Sequence, residues 1–210
     1  MIDFWESMFK KDQIAWGFEP SDSAIFAKDL FLEKEAKDIL IPGIGYGRNA
    51  NVFHENGMKV TGIEISKSAI DMAKSKIGHS INIHHGSVTK MPFDNKLYDG
   101  IFCYALIHLL NKPERKEFIK SCYHQLKANG YMIFTVISKK TPMYGSGKQI
   151  SSDRFKMPNG LNVFYYDSDS VEKEFENYGL VEYLEIQEPI KFMKNKPPLY
   201  CILIKCKRHQ

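Results

Sequence analysis

Asp38-Ile39-Leu40-Ile41-Pro42-Gly43-Ile44-Gly45-Tyr46-Gly47-Arg48-Asn49 is the stretch that decides the fold. An apolar strand, residues 38–42, stops at three alternating glycines, and the spacing predicts a helix from Arg48 to about Glu55, closed by Asn56-Gly57. A chain is built this way where its backbone comes close to a ligand, because glycine adopts turn dihedrals barred to other residues and has no Cβ to hold a nucleotide away. The run gains meaning from Lys59-Val60-Thr61-Gly62-Ile63-Glu64-Ile65, a second apolar strand that ends in an acid. Glu64 falls about 20 residues after the glycines, the distance at which a strand tip presents a carboxylate to ribose hydroxyls.

Outward from this unit, strands and helices alternate. Two helical stretches, near residues 2–11 and 21–33, lead in. Past Glu64, Ser66 is placed to cap a helix over 67–76, and a third strand covers 81–84. Residues 100–104 are nearly all apolar, as in a central strand buried on both faces. Pro113 opens a helix to about Leu126, and Lys127-Ala128-Asn129-Gly130 turns the chain into a fifth strand over 131–137. Such alternation makes a parallel sheet. The polar stretch 138–160 interrupts it, and a connection of that length in a compact domain is a candidate lid. After a helix over 168–178 come two strand-like runs, 180–186 and 199–206, joined through Pro189 and Pro197-Pro198 with no helix between them. They predict an antiparallel pair at one end of the sheet.

Composition bounds the function. At 210 residues the chain suits one α/β domain over 1–210, with 43% hydrophobic and 26% charged residues and no apolar run near the roughly 20 residues of a membrane span. Met1-Ile2-Asp3-Phe4-Trp5-Glu6 lacks the basic start and apolar stretch of a signal peptide, so a cytoplasmic protein is expected, with no membrane partner. Cys103, Cys122, Cys201 and Cys206 form no CxxC pair, which indicates neither a disulfide frame nor a zinc site, and no metal is expected. A net charge of +4, spread along the chain, gives no sign of nucleic acid.

Taken together, the glycine loop, the acid at 64 and the terminal strand pair resemble a class I S-adenosylmethionine-dependent methyltransferase across essentially the whole chain. Gly86-Ser87-Val88-Thr89-Lys90-Met91-Pro92-Phe93, followed by Tyr98-Asp99-Gly100-Ile101-Phe102-Cys103-Tyr104, is similar to that superfamily's third and fourth strand region. So is Leu126-Lys127-Ala128-Asn129-Gly130-Tyr131 ahead of strand five. The resemblance implies a Rossmann-like, mostly parallel sheet of seven strands with helices on both faces, residues 1–35 as a helical lid and 138–166 as a substrate-side insertion. Gly45-Tyr46-Gly47-Arg48-Asn49, with Pro158-Asn159-Gly160 and Phe164, is similar to the tellurite-resistance methyltransferases. Phe4-Trp5-Glu6 and Ile14-Ala15-Trp16-Gly17, with Leu40-Ile41-Pro42-Gly43, resemble the thiopurine and thiol S-methyltransferases. Both branches methylate soft chalcogens, so the implied acceptor is a small thiol, thiopurine, selenite or tellurite. The chain departs from the superfamily at Ile41, where an acid is usual, and at Ser87, where an aspartate is frequent. These departures bear on cofactor affinity more than on fold.

The resemblance and the residues together assign roles. Gly43, Ile44, Gly45 and Gly47 pass beneath the cofactor, Glu64 and the adjoining Ile65 take its ribose, and Ser87 and Val88 meet its adenine. Tyr104 and Ile107 wall the site past the end of strand four, where open α/β sheets hold ligands. His108 is either lining or a general base, its ordinary pKa suiting it to proton transfer, and Tyr104 is the other candidate base. Trp5 and Trp16 are placed to fold over a cationic sulfonium. Arg48, unfavourable at a helix start, is expected to pair with a carboxylate of cofactor or protein. Lys139, Lys140, Tyr144, Lys148 and Arg154 are candidates to meet an anionic substrate. His84 and His85 carry no metal role. The expected cofactor is S-adenosyl-L-methionine, its product S-adenosyl-L-homocysteine, and the expected partner a small-molecule acceptor used by a monomer or homodimer. Two rivals stay open: O- or N-methylation with a side-chain base, and a non-catalytic protein that only binds the cofactor. A nicotinamide oxidoreductase fits less well, because Arg48 stands where its GxGxxG fingerprint needs the third glycine.

Overall fold

The computed structural model describes residues 2–11, 16–78, 81–190 and 197–209. Ile14 and Ala15 of the tryptophan motif, and residues 191–196 of the last connection, lie outside the described residues. Two helices come first, α1 (Ile2–Lys11) and α2 (Asp22–Glu33). The chain then alternates through β1 (Asp38–Pro42), α3 (Ala50–Glu55), β2 (Lys59–Glu64), α4 (Lys67–Ile77) and β3 (Asn82–His85). β4 (Tyr98–Tyr104), α5 (Lys112–His124) and β5 (Leu126–Ile137) follow. Three short strands come next, β6 (Lys148–Ser151), β7 (Arg154–Lys156) and β8 (Asn162–Phe164). α6 (Ser168–Phe175), β9 (Leu180–Glu188) and β10 (Leu199–Lys207) close the fold.

The main sheet has seven strands in the order β3-β2-β1-β4-β5-β10-β9. β1 pairs in parallel with both β2 and β4, and β10 runs antiparallel to both β5 and β9, as the helix-free connection between the last strands requires. Strand periodicity sorts β1 between two cores. Ile39 and Ile41 pack with Phe31 of α2, Phe53 of α3 and Ile70 of α4 on one face. Leu40 packs with Phe118 of α5 and Phe175 of α6 on the other. Both faces are covered, which is why these strands read as continuous apolar runs. Among the described residues, no helix is long and apolar enough to cross a membrane.

Caps explain several boundaries. Ser66 accepts from the Ala69 N–H to start α4, and Asn111 forms a capping box with Glu114 to start α5. Glu188 at the end of β9 accepts from the Asp22 N–H at 2.5 Å, fixing the N-terminus of α2 to the far edge of the sheet. α3 begins at Ala50 rather than Arg48, because positive φ at Gly45 and Gly47 keeps the chain in turns. The expected turn at 127–130 is instead the irregular start of β5, with Asn129 at φ 63° and its N–H bonded to the Arg208 carbonyl. The largest difference lies at the polar stretch 138–160, where no strand was predicted. β6, β7 and β8 form a separate antiparallel sheet over 148–164.

Candidate active site

The strand order reverses between β1 and β4, and loops after both strands meet there in a cavity of about 600 Å³. On the β1 side, the Ile63 carbonyl accepts from Gly43 N at 2.8 Å and Ile44 N at 3.1 Å, closing the turn onto β2. The next amide, Gly45 N, donates to Glu64 Oε2 at 2.8 Å. Glu64 Oε1 accepts from Ile65 N at 2.8 Å and Ser66 N at 2.9 Å. The carboxylate thus ties two loops together while lining the cavity. Burial pushes its pKa up, and the three amide donors pull the other way. Each carboxylate oxygen has two acceptor sites, so Oε2 retains capacity toward a ligand.

Gly45 lines the cavity. Its φ is +57°, and a Cβ there would meet nothing closer than Phe9 Cζ at 3.8 Å, across the gap between loop and α1. Gly47 differs. A Cβ there would strike Ile77 Cδ1 at 2.4 Å, so this glycine serves the close packing of α4 and lies outside the cavity lining. Ile107 is likewise outside it. It is fully buried in the core below the site, while its neighbour His108 turns to the cavity.

Gly43, Ile44, Gly45, Arg48, Glu64, Ile65, Ser87, Val88, Tyr104, His108, Trp5 and Trp16 all line this one space. Arg48 donates to the Trp16 carbonyl at 2.9 Å and lies 5.5 Å from the centre of the Tyr104 ring. It is thus held by a backbone carbonyl, where a protein carboxylate was one expected partner. The Tyr46 hydroxyl donates to the Gly17 carbonyl at 2.6 Å. These two bonds bind residues 16–17 to the glycine loop, and Trp5, Phe9 and Trp16 stand 6.1–6.3 Å apart as an aromatic wall. α1 is fixed from its other side. Glu6 accepts from the Ser66 and Ser68 hydroxyls at 2.7 Å each and from Ser68 N at 3.2 Å, at the start of α4. Hydrogen bonds from Ser68, then Ser66, hold its pKa down at about 2.

The post-β4 turn carries strain. Ala105 adopts φ +51°, a left-handed conformation costly for a residue with a Cβ, and it lines the cavity. His108 is 7% exposed, and its enclosed Nδ1 has no hydrogen-bond partner among the described residues. Burial alone drives its pKa down to about 4, so the imidazole is neutral at physiological pH. Burial pushes the Tyr104 hydroxyl up, keeping it protonated.

Residues in and beside the small sheet supply the remaining wall, and the sequence reading named none of these lining residues. Met157, Leu161, Val163 and Tyr165 line the cavity with Ile137 of β5 and Leu199 of β10. Alternation along residues 161–166 was the available signal: 161, 163 and 165 face the cavity, while Phe164 and Tyr166 enter the main core. The turn and the sheet are bolted together. Arg154 donates to the Leu109 carbonyl at 3.2 Å and also to that of Leu110, which accepts from Arg115 as well, at 3.2 Å. Arg115 in turn pairs with Glu174 at 2.7 Å and lies 3.8 Å from the Phe164 ring centre.

Of the other loop groups proposed for anionic substrates, three are paired within the protein. Lys139 pairs with Asp153 and Asp167, the Tyr144 hydroxyl donates to Asp153, and Lys140 pairs with Glu185. Lys148 is exposed at the start of β6 and does not line the cavity. His84 is paired with Asp94 at 3.0 Å and stacked on Phe93.

Comparison with known proteins fits this geometry. Residues 40–134 match the family described as a methyltransferase domain. The chain is 28% identical over 113 residues to a ubiquinone biosynthesis O-methyltransferase of Coxiella burnetii, covering 52% of this chain and 47% of that protein. It is 31% identical over 98 residues to thiocyanate methyltransferase 1 of Brassica oleracea, covering 45% and 43%. The chain therefore spans about half the length of the curated relatives it matches. Among solved structures, the 1,6-didemethyltoxoflavin-N1-methyltransferase of Burkholderia thailandensis superposes with a TM-score of 0.74 over 100% of this chain and 87% of that one, at 12% identity. That structure holds S-adenosylhomocysteine and its acceptor.

Proposed function

We propose that this chain, a member of the class I S-adenosylmethionine-dependent methyltransferase superfamily, binds S-adenosylmethionine in the glycine-loop half of its cavity and methylates a small molecule held in the other half. The observation that carries this reading is the joining of the Gly45 amide and the Glu64 carboxylate on the cavity wall. The residues suit the cofactor. The cavity of about 600 Å³ leaves room for an elongated ligand, Glu64 keeps acceptor capacity for ribose hydroxyls, and Arg48 offers charge to a carboxylate. Trp5, Phe9 and Trp16 give aromatic faces to a sulfonium, and Ser87 and Val88 border the adenine end. When bound, S-adenosylmethionine supplies an activated methyl group whose leaving group is a neutral thioether.

The chain's own work is then alignment and exclusion of water. α1 and residues 16–17 act as the lid, and the turn after β4 places His108 beside the acceptor. His108 is unprotonated at neutral pH and able to accept a hydrogen bond, but its low pKa makes it a weak base. That favours an acceptor that gives up its proton readily, so a thiol is preferred to a phenol, with free-thiol pKa near 8.5 against about 10 for a phenol. The likeness to a thiocyanate methyltransferase agrees with sulfur as the acceptor atom. The likeness to a ubiquinone O-methyltransferase supports the second reading, oxygen methylation with His108 as base and Tyr104 beside it. Incubation with methyl-labelled S-adenosylmethionine and separate thiol, phenol, amine, thiocyanate, selenite and tellurite acceptors tests both. Label in the thiol alone supports the first reading and label in the phenol the second. Cofactor binding with no labelled product from any acceptor leaves a binding protein.

A further inference from the structure

The charges of the cavity are unevenly placed. Arg48 and Glu64 both belong to the glycine-loop half, after β1 and β2. The half reached through β5, β10 and the small sheet is walled by groups such as Ile137, Leu199, Met157, Leu161 and Val163, and no Lys, Arg, Asp or Glu is among the described residues lining it. Among the described residues, the cations nearby do not make up for this. Lys139 is held by Asp153 and Asp167, and Arg154 is spent on the carbonyls of Leu109 and Leu110. Even the Tyr165 hydroxyl is turned to the Met157 sulfur, at 3.5 Å. An ion entering this half loses its water and gains no partner charge from the described residues, whereas an apolar body gains by leaving water.

We propose that this half selects an uncharged acceptor with an extended apolar body, that the sheet formed by β6, β7 and β8 sets the choice, and that inorganic oxyanions are poor substrates. The inference rests on the methyl-transfer reading and narrows it. Selection acts through desolvation: the distal part of the acceptor must lie against Met157, Leu161 and Val163 while its nucleophile reaches the space beside His108.

The test is calorimetric titration of the protein saturated with S-adenosylhomocysteine. Two matched pairs serve as probes: 4-methylbenzyl mercaptan against 4-(mercaptomethyl)benzoate, and p-cresol against 4-hydroxybenzoate. Within each pair the nucleophile is kept and a carboxylate replaces a distal methyl. The neutral member of at least one pair is expected to bind, about 30-fold or more tightly than its carboxylate partner. Selenite and thiocyanate are expected to bind more weakly still. Met143 lines the cavity yet is 51% exposed, so Met143→Lys places a cation there at little cost to folding, and it is expected to narrow the gap at least several-fold. Equal binding of the carboxylates, tighter binding of the inorganic anions, an unchanged gap in Met143→Lys, or no binding of either neutral probe overturns the inference. If S-adenosylhomocysteine itself does not bind, the methyl-transfer reading falls instead.

Discussion

At the scale of single residues, the site works by placing ordinary groups in uncommon surroundings. His108 is the clearest case, its pKa lowered by burial from 6.5 to about 4. Protons therefore bind the unfolded chain more tightly than the folded one. This residue costs nothing well above pH 6.5 and removes stability as pH falls toward 4, a loss of about 2 kcal/mol by pH 5. In urea titrations, His108→Leu is expected to lose less stability than the wild type between pH 7 and pH 5, by about that amount. Equal losses in the two proteins contradict the assignment. The glycines show what a sequence discloses at this scale. Gly45 was legible as a loop glycine because positive φ is a local demand. The purpose of Gly47 was not, because it depends on Ile77, thirty positions away in sequence and in contact only after α4 docks. Ile107 and His108 were inseparable in sequence for a similar reason: the short turn over 107–109 decides which of two neighbours faces the cavity.

At the scale of elements, α1 and the small sheet both wall the cavity and meet at Trp5, with different fastenings. α1 is held by Glu6 at the start of α4 and by its aromatic residues on the glycine loop. Because the Glu6 pKa sits near 2, below the ordinary 4.5, this fastening is complete at neutral pH and is lost as pH falls through the folded value. Glu6→Gln is expected to loosen α1 at pH 7, seen as faster proteolysis within residues 2–20 and several-fold weaker binding of S-adenosylhomocysteine, with the cooperative thermal transition kept. Unchanged proteolysis and affinity mean that α1 does not act as a lid. The inner strands β1, β4 and β5 were legible because burial on both faces writes apolar runs into them. β6 was not, since all four of its residues are exposed and no alternation marks it. β7 and β8 span three residues each, too few for periodicity to register, and their meaning lies in contacts to the turn after β4 that only the folded chain makes.

At the scale of the whole molecule, strand order places the site. The reversal between β1 and β4 brings the glycine loop against the post-β4 turn, and β5 with β10 sets an apolar wall beside them. A ligand that bridges these parts stabilises all of them at once. S-adenosylhomocysteine at a hundredfold excess over its dissociation constant should add about 2.7 kcal/mol, a Tm rise of about 5–10 °C for a chain of this size. A rise below about 2 °C at that excess means that the ligand does not engage the folded core. The central claim, that the Gly45–Glu64 junction is a methyl-donor site, is tested most directly by calorimetric titration of S-adenosylmethionine into the wild type and into Glu64→Ala. Binding at one site per chain in the micromolar range, weakened about 30-fold or more in a folded Glu64→Ala protein, is the predicted result. No heat of binding to the wild type at millimolar cofactor, or equal affinity in the two proteins, contradicts it.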